Sequence, residues 1–281
     1  MGNSFNKKFR AILMDVDGTL VSQNNILSDK TKEVLQRIND TGISLCLVTG
    51  RPLFTLLRSV ENWNLNFSFD VLAASNGAEI YHKGKKQILS DYLIDCETIR
   101  DIIGKMKTYA CYCYVYGENG EISPVEDPVL SEISINNHMV FTVVDDVSSL
   151  WDEEKFKVMV RFFHKDETER ASHNIKRFKD TTAIKTHDYL MEFIQKDNSK
   201  DKALDYICEL YRCSTKEIIA CGDSQNDLKM LKKAGLGICM INGEAKIKKA
   251  ADLITERGVD EDGLALCLEK LFEGEEKWVN M

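Results

Sequence analysis

The sequence predicts an α/β protein that has a parallel-sheet core and an α+β domain inserted into that core. In the first part of the chain, short apolar runs alternate with amphipathic stretches of helical periodicity, and the same alternation returns after Ser199. Strands and helices that alternate at this spacing are typical of a parallel sheet covered on both faces. The part between them contains patches of alternating apolar and polar residues, which indicate antiparallel strands.

The first part of the chain predicts three strands separated by helices. The stretch "LSDKTKEVLQRINDTG" predicts a helix with Ser28 as its N-cap and Gly42 just past its end. Pro52 suits the first turn of the following helix. The three strands are predicted at residues 11–16, 43–50 and 69–75.

An inserted domain is predicted from the lengths of the connections. The stretch between Asp17 and the first helix is too short for a domain, whereas the one between Asn76 and Lys200 is far longer than a structureless loop. That long stretch contains strand-like patches such as "CYCYVYG" and "KFKVMVRFF". We therefore predict a core formed by residues 1–81 and 193–281, with a cap domain at 82–192.

After Ser199 the chain predicts a second set of core elements. A helix is expected in "SKDKALDYICELY", a strand in "EIIACGD", a helix in "QNDLKMLKKAG" and a strand in "GLGICMI". A last helix is expected near 260–272. The acidic tail "EGEEKWVNM" is expected to be a frayed end.

The composition is that of an ordinary globular protein, and it argues against several classes. Hydrophobic residues make up 43% and charged residues 29% of the 281 positions. The net charge of −8 argues against general nucleic-acid binding, because phosphate backbones are held by clustered Lys and Arg. There is no apolar run of about 18 residues and no signal-peptide pattern, so neither a membrane span nor secretion is expected. The nine cysteines lie mostly singly in apolar runs, which favours a cytoplasmic protein with reduced thiols. The sequence does not indicate an oligomeric state.

Polar side chains follow four of the predicted core strands, at the point where each strand ends. These positions are Asp15 and Asp17, then Thr49, Gly50 and Arg51, then Asn76, and then the acids of "GDSQND" from Asp223 to Asp227. Taken singly, each has an ordinary explanation as turn or helix-capping chemistry. In an open parallel sheet, however, ligands bind beyond the carboxyl ends of the strands. The four strand ends together therefore predict one site.

A hard divalent cation would offset the repulsion among these acids. Asp15, Asp223 and Asp227 supply oxygen ligands of the kind that Mg²⁺ prefers. With the cation bound, Asp15 stays ionised and can act as a nucleophile toward phosphorus. Asp17 can protonate the leaving alkoxide and later take a proton from water. Thr49 can donate a hydrogen bond to the phosphoryl group, and Lys200 can neutralise its charge.

The motif set resembles a known family. "DVDGTL", "TGR", a lysine that opens a helix after the insertion, and "GDSQND" resemble the haloacid dehalogenase superfamily, in its motif order and over nearly the whole chain. The resemblance is to the Cof-like phosphatases, which have a large cap inserted after the third core strand. It implies a Rossmann-like core, a covalent aspartyl-phosphate on Asp15, and Asp17 as acid and base. It also implies Mg²⁺ held by Asp15, the backbone carbonyl of Asp17 and Asp223, with Asn226 and Asp227 supporting the site.

The chain departs from the family pattern at two places. Asp201 follows Lys200 where the family often has glycine, and Ile241 precedes Asn242 where the family often has glycine. The second departure leaves a substrate role for Asn242 open.

The residues and the resemblance together predict a Mg²⁺-dependent phosphatase of small phosphorylated metabolites, such as sugar phosphates or phosphorylated cofactors. One alternative is a phosphomutase or phosphoglycosyl phosphatase built on the same core. A second is a non-catalytic phosphate-binding regulatory protein, and a third is a receiver-like domain phosphorylated on aspartate. The intact acids argue against the second alternative, and the inserted cap argues against the third. The residues expected to bind substrate are Thr49, Gly50, Arg51, Asn76, Lys200 and Asn226.

Overall fold

The chain divides into two compact units. The structure, a computed structural model, describes residues 9–22, 24–117, 120–136 and 139–272. The core unit runs to Leu89 and resumes at Ser199, and the inserted unit is Ser90–Asn198. The predicted frayed end at 273–281 lies outside the described residues.

The helices and strands are numbered here in chain order. The helices are α1 (Asp29–Asp40), α2 (Leu53–Asn62), α3 (Cys96–Met106), α4 (Pro128–Asn136), α5 (Lys165–Asn174), α6 (Asp201–Tyr211), α7 (Leu228–Lys233), α8 (Ala245–Lys248) and α9 (Gly263–Phe272). The strands are β1 (Ala11–Met14), β2 (Ser44–Val48), β3 (Val71–Ala74), β4 (Glu79–His82), β5 (Gln87–Ser90), β6 (Cys111–Tyr116), β7 (Gly120–Ser123), β8 (Val140–Val143), β9 (Lys157–Phe162), β10 (Arg177–Phe178), β11 (Thr181–His187), β12 (Leu190–Gln195), β13 (Ile218–Gly222), β14 (Leu236–Cys239) and β15 (Leu253–Ile254).

The core unit is built on one sheet whose order is β15-β14-β13-β1-β2-β3-β4-β5. Pairing is parallel from β15 through β3, and β4 pairs antiparallel with β3. This arrangement confirms the predicted α/β fold class with a parallel-sheet core. It also places the carboxyl ends of β13, β1, β2 and β3 along one edge of the sheet.

Helices cover both faces of this sheet. Ile12 and Met14 of β1 point into the core formed with α1, α2 and α9, whereas Ala11 and Leu13 point into the core formed with α6 and α7. Because alternate residues of a strand face opposite sides, a strand buried on both faces must be apolar throughout. This explains the continuous apolar runs of the sequence.

Two local predictions for the first strand and helix have different outcomes. The cap of α1 is confirmed, because the Ser28 side chain accepts a hydrogen bond from the backbone N–H of Thr31 at 3.0 Å. The strand predicted at 11–16 ends earlier, at Met14. The chain turns there because the carbonyl of Val16 accepts hydrogen bonds from the backbone N–H groups of Leu20 and Val21, both at 2.9 Å.

The inserted unit is built on a second sheet, in the order β10-β11-β12-β9-β6-β7-β8. Its pairs are antiparallel except for β7 with β8. Ile99 and Ile102 of α3 pack with Val158, Val160 and Phe162 of β9 in one apolar cluster. The unit therefore has the α+β character that the alternating patches predict.

The observed division of the chain differs from the predicted boundaries at 81/82 and 192/193. The first boundary comes later, after Leu89, because β5 (Gln87–Ser90) joins the core sheet next to β4. The second comes later because β12, at Leu190–Gln195, pairs with β9 and β11 of the inserted sheet. Within the described ranges, no helix is both long and apolar enough to span a membrane.

Candidate active site

The turn after β1 lies against Asp223. Asp15 continues the pairing of β1 with β13 by one residue, because its N–H donates to the carbonyl of Cys221 at 3.0 Å. Gly18 adopts φ +80°, and a Cβ atom there would lie 2.5 Å from Oδ2 of Asp223. The hydroxyl of Thr19 donates to Oδ1 of Asp223 at 3.3 Å. Gly18 is therefore required both for the left-handed turn and for this close approach.

The loop after β13 is closed by one of its own acids. Oδ2 of Asp227 accepts hydrogen bonds from the N–H groups of Asp223 and Ser224, at 3.0 and 2.9 Å. A Cβ atom at Gly222 would lie 2.5 Å from Cβ of Asp227, so glycine permits this closure. The "GDSQND" stretch thereby brings Asp223 and Asp227 to the same strand end.

Three acids and one lysine form a cluster at this edge of the sheet, in which Asp223 is half-buried and the other three are buried. Asp15, Asp223 and Asp227 each offer a carboxylate oxygen, and these atoms lie within 4.8 Å of one another. Nζ of Lys200 donates to Oδ1 of Asp15 at 2.5 Å and to Oδ1 of Asp227 at 2.6 Å. The Lys200 side chain is 1% exposed, although a lysine opening a helix is usually solvated. The structure thus brings together four residues that the sequence predicts for one site.

The electrostatics of the cluster show an excess of negative charge. Burial, reinforced by the charge of Asp227, raises the pKa of Asp223 from 3.8 to about 6. Burial also raises the pKa of Asp15, while the nearby Lys200 opposes that shift. Burial disfavours the charged form of Lys200, but the carboxylates of Asp15 and Asp227 outweigh it and raise the pKa of the ammonium group. One cation faces three acids.

The cluster fits a hard divalent cation. Its donors are carboxylate oxygens, which Mg²⁺ prefers, and its charge is not balanced by Lys200 alone. Asp227 already uses both of its oxygens in hydrogen bonds to protein groups. Asp15 and Asp223 are therefore the carboxylates best able to contact a metal directly, and Asp227 holds Lys200 and the loop in place.

The side chain of Asp17 lies apart from this cluster. Arg51 binds both of its carboxylate oxygens, with Nε at 2.8 Å from Oδ2 and Nη2 at 2.5 Å from Oδ1. Nη1 of Arg51 in turn donates to Asn25 at 2.9 Å and to Ser59 at 2.8 Å. Because β1 ends before Asp15, the two acids do not share one face of a strand, and each has its own cationic partner.

The ends of β2 and β3 meet the loop after β13. The carbonyl of Thr49 accepts from the N–H of Asn76 at 2.8 Å, and Oγ1 of Thr49 accepts from the N–H of Arg51 at 3.2 Å. Oδ1 of Asn76 accepts from Nδ2 of Asn226 at 3.1 Å. A Cβ atom at Gly50 would lie 3.4 Å from the same Oδ1. The residues predicted to bind substrate thus converge at this edge.

The sequence does not predict some contacts that hold the site together. Asn25 and Ser59 hold Arg51, and Glu79 accepts from the hydroxyl of Ser75 at 2.6 Å and from the N–H of Leu53 at 3.3 Å. No strand-end or motif signal marks these residues, since they lie in a loop, inside α2 and in β4. Their contacts depend on the tertiary fold.

Asn242, whose substrate role the sequence leaves open, contacts the turn after β1. Its Nδ2 donates to the carbonyl of Gly18 at 2.8 Å, and its Oδ1 accepts from the N–H of Val259 at 3.1 Å. The side chain therefore connects the turn that carries Asp17 to the segment preceding α9.

Residues 12–268 match the family model of haloacid dehalogenase-like hydrolases. The chain belongs to the haloacid dehalogenase-like hydrolase family. The resemblance inferred from the four motifs is confirmed by this match, which spans the core and the insertion.

Relatives and solved structures agree with this assignment. Two Bacillus subtilis proteins, each named 5-amino-6-(5-phospho-D-ribitylamino)uracil phosphatase, are similar to the chain along nearly its whole length. YwtE is 24% identical, and the similarity covers 95% of this chain and 99% of YwtE. YcsE is 26% identical, and the similarity covers 92% of this chain and 94% of YcsE. A solved haloacid dehalogenase-like hydrolase from Bacteroides thetaiotaomicron is 26% identical with a TM-score of 0.84, covering 94% of this chain and all of its own. The predicted enzyme class, a phosphoric monoester hydrolase, is confirmed.

Proposed function

We propose that this hydrolase is a Mg²⁺-dependent phosphatase of small phosphorylated metabolites that acts through an aspartyl-phosphate on Asp15. The observation that carries the proposal is the position of Asp15. Its carboxylate is buried at a strand end, accepts a hydrogen bond from Lys200 at 2.5 Å and lies beside Asp223 and Asp227. A carboxylate oriented by an ammonium group within a metal-binding cluster suits nucleophilic attack on phosphorus.

The proposed metal ligands are Asp15, the backbone carbonyl of Asp17 and Asp223, with Asp227 and Asn226 supporting them. A bound Mg²⁺ would supply positive charge for the phosphoryl oxygens and keep Asp15 ionised.

In the first half of the reaction, an oxygen of Asp15 attacks phosphorus and the bond from phosphorus to the leaving oxygen breaks. Asp17 donates a proton to that oxygen. In the second half, Asp17 accepts a proton from water, whose oxygen attacks phosphorus and releases Asp15 and inorganic phosphate. Asp17 thus begins and ends the cycle in the same protonation state.

Two further residues stabilise the transferring group. Lys200 places its ammonium group beside Asp15, where it neutralises charge on the phosphoryl oxygens. Oγ1 of Thr49 accepts from the N–H of Arg51, and with no acceptor for the hydroxyl among the described residues, its hydrogen can point toward a bound phosphoryl group. Arg51 keeps the Asp17 carboxylate in one orientation through two hydrogen bonds.

The charge distribution and the names of the relatives support the proposed substrate class. A small phosphorylated metabolite suits a local cation within an acidic protein. The names of YwtE and YcsE describe a phosphorylated ribityl chain on a uracil, which makes phosphorylated sugars and sugar alcohols the first compounds to test.

The experiment is a screen of phosphorylated metabolites for phosphate release with Mg²⁺ and with excess chelator. We expect turnover of one or more sugar or sugar-alcohol phosphates with Mg²⁺ and none with chelator. Release of phosphate distinguishes a phosphatase from a phosphomutase, which would return an isomer of the substrate. Full turnover in chelator, or no turnover of any phosphate monoester, would contradict the proposal.

A further inference from the structure

The connection after β3 has an unusual backbone. Ser75, Asn76 and Gly77 have φ values of 48°, 60° and 98°, so three successive residues occupy the left-handed region. That region is strained for most residues with a side chain and less so for asparagine, and glycine adopts it without strain. Strained backbone of this kind is concentrated at functional sites. The connection therefore keeps two side chains at positions where glycine would be easier to accommodate.

The side chain of Asn76 has an unsatisfied donor. The residue is 2% exposed, and among the described residues its Nδ2 has no hydrogen-bond partner. Buried donors are nearly always paired, because leaving one unpaired costs stability. The nitrogen of this buried amide therefore contributes no hydrogen bond to the described fold.

The orientation of this amide is set from the loop that carries the metal-binding acids. The hydroxyl of Ser224 donates to Oδ1 of Asn226 at 2.6 Å, and Nδ2 of Asn226 donates to Oδ1 of Asn76 at 3.1 Å. In this chain of bonds each amide accepts on its oxygen, so the Asn76 nitrogen is left as the terminal donor. Asp223 and Asp227 flank the same short loop.

The position of the amide is set by the sheet order. Asn76 follows β3 and Asn226 follows β13, while β2 and β1 lie between those strands. A hydrogen bond between the two asparagines must therefore pass across the carboxyl ends of β1 and β2, where Asp15 and Thr49 are found. A Cβ atom on Gly50 would lie 3.8 Å from the Asn76 nitrogen, which places that donor beside the "TGR" loop.

We infer that Nδ2 of Asn76 donates a hydrogen bond to a phosphoryl oxygen of the bound ligand, and that Asn226 is a positioning residue that fixes the orientation of this donor. The inference rests on the proposed function. It adds a neutral donor to the charged groups of the site, and it connects the metal-binding loop to phosphoryl recognition through one hydrogen bond.

The test uses inorganic phosphate as the probe, titrated into the Mg²⁺-loaded protein by calorimetry. Asn76→Gly removes the donor and the backbone strain together, and Asn76→Asp keeps the size of the side chain but replaces the donor with an acceptor. Each variant should weaken phosphate binding by about tenfold or more, and Asn76→Asp should bind phosphate more weakly than Asn76→Gly does. The matched control is Asn64→Gly, an exposed asparagine with φ 51° at the end of α2, which should leave phosphate affinity unchanged.

A second measurement distinguishes ligand binding from a role in folding. Because Asn76→Gly removes strain and an unpaired amide, its thermal midpoint should equal or exceed that of the wild type while its phosphate affinity falls. Asn226→Ala should also weaken phosphate binding, and combining it with Asn76→Gly should add nothing further, since both act through one donor.

The outcomes separate the two levels of inference. A wild-type protein that does not bind phosphate in Mg²⁺ contradicts the proposed function and this inference with it. If the wild type binds phosphate and the Asn76→Gly and Asn76→Asp variants bind within twofold of it, the proposed function stands and the role of Asn76 is rejected. Additive losses in the double variant would reject the positioning role of Asn226 alone.

Discussion

Asp15 and Asp17 are two positions apart in the sequence and have different cations as partners. Lys200 binds the buried Asp15 inside the cluster, and Arg51 binds the exposed Asp17 outside it. The ammonium group makes one hydrogen bond to its acid, whereas the guanidinium group makes two parallel ones that fix the plane of the carboxylate. The choice of cation therefore matches the different tasks proposed for the two acids.

The Arg51 contact gives a prediction at the residue scale. Arg51→Lys retains the charge but cannot bind both oxygens of Asp17, so the acid is less well oriented for proton transfer. We expect kcat for an alkyl phosphate to fall on the order of tenfold with little change in KM. An aryl phosphate should be less affected, because its leaving group needs less protonation. Steady-state kinetics of both substrates measure this.

The control for that prediction is Arg100→Lys, at an exposed arginine of α3. It should leave both substrates unaffected. Equal losses for the alkyl and aryl substrates in Arg51→Lys would mean that Arg51 does not act through Asp17.

Among the elements, the turn after β1 and the turn after α1 each contain a glycine with a positive φ. Gly18 and Gly42 both have positive φ, at +80° and +85°, but only Gly18 lies against a neighbour, Oδ2 of Asp223. Within the described part of the chain, nothing lies within 4 Å of a Cβ atom built at Gly42. The two glycines therefore separate the effect of backbone strain from the effect of contact with the site.

Substituting alanine at each position tests this difference. Gly42→Ala should lower the free energy of unfolding by about 1 kcal/mol, because of strain, and leave activity intact. Gly18→Ala should cost at least as much stability and also weaken Mg²⁺ binding, because the new methyl group displaces Asp223. Denaturant titration and Mg²⁺ titration of both variants measure the two effects. Equal Mg²⁺ affinity in the two variants would argue against a metal role for Asp223.

The sequence predicts the elements well where one principle determines them. Apolar runs mark the buried parallel strands, and Ser28 marks the start of α1 because its side chain can accept a backbone hydrogen bond. The prediction is wrong at the end of β1, where an apolar Val16 prolongs the pattern although its carbonyl belongs to a turn. The predicted boundary at 81/82 also leaves β5 outside the core, although β5 joins the core sheet next to β4.

The sequence predicts which residues form the site better than it predicts the hydrogen bonds between them. Asp15, Thr49 and Asp223 can be predicted because each follows a parallel strand, and the carboxyl ends of parallel strands lie at one edge of the sheet. It cannot show that Asp17 is bound by Arg51 or that Asn76 reaches Asn226, since these contacts join loops that are far apart in sequence. Such pairs are determined by loop conformation, which depends on the assembled sheet.

Across the whole molecule, the acid cluster couples stability to pH and, through the proposed function, to Mg²⁺ binding. The pKa of Asp223 is raised in the folded state from 3.8 to about 6, so folding takes up protons between these values. This acid therefore stabilises the metal-free protein at low pH, and the contribution is lost as pH rises through about 6. Above that pH the carboxylate is free to bind Mg²⁺.

The thermal midpoint with and without Mg²⁺ tests this coupling. Saturating Mg²⁺ should raise the midpoint clearly at pH 7.5, because a ligand bound only by the folded state stabilises it, and by much less at pH 5. In Asp223→Asn the Mg²⁺ effect at pH 7.5 should largely disappear. An Mg²⁺ effect of the same size at both pH values, or one retained in Asp223→Asn, would be inconsistent with a metal site built on this acid.

Rapid-quench labelling with a phosphorylated aryl substrate tests whether Asp15 forms the proposed covalent phosphoryl intermediate. In Asp17→Asn the good leaving group departs without protonation, but no base activates water, so turnover should fall by about 10²–10⁴ and the label should accumulate. We expect an acid-stable, hydroxylamine-sensitive label on the peptide containing Asp15, and none in Asp15→Asn. Label on another residue, or an Asp15→Asn variant as active as Asp17→Asn, would contradict the proposed intermediate.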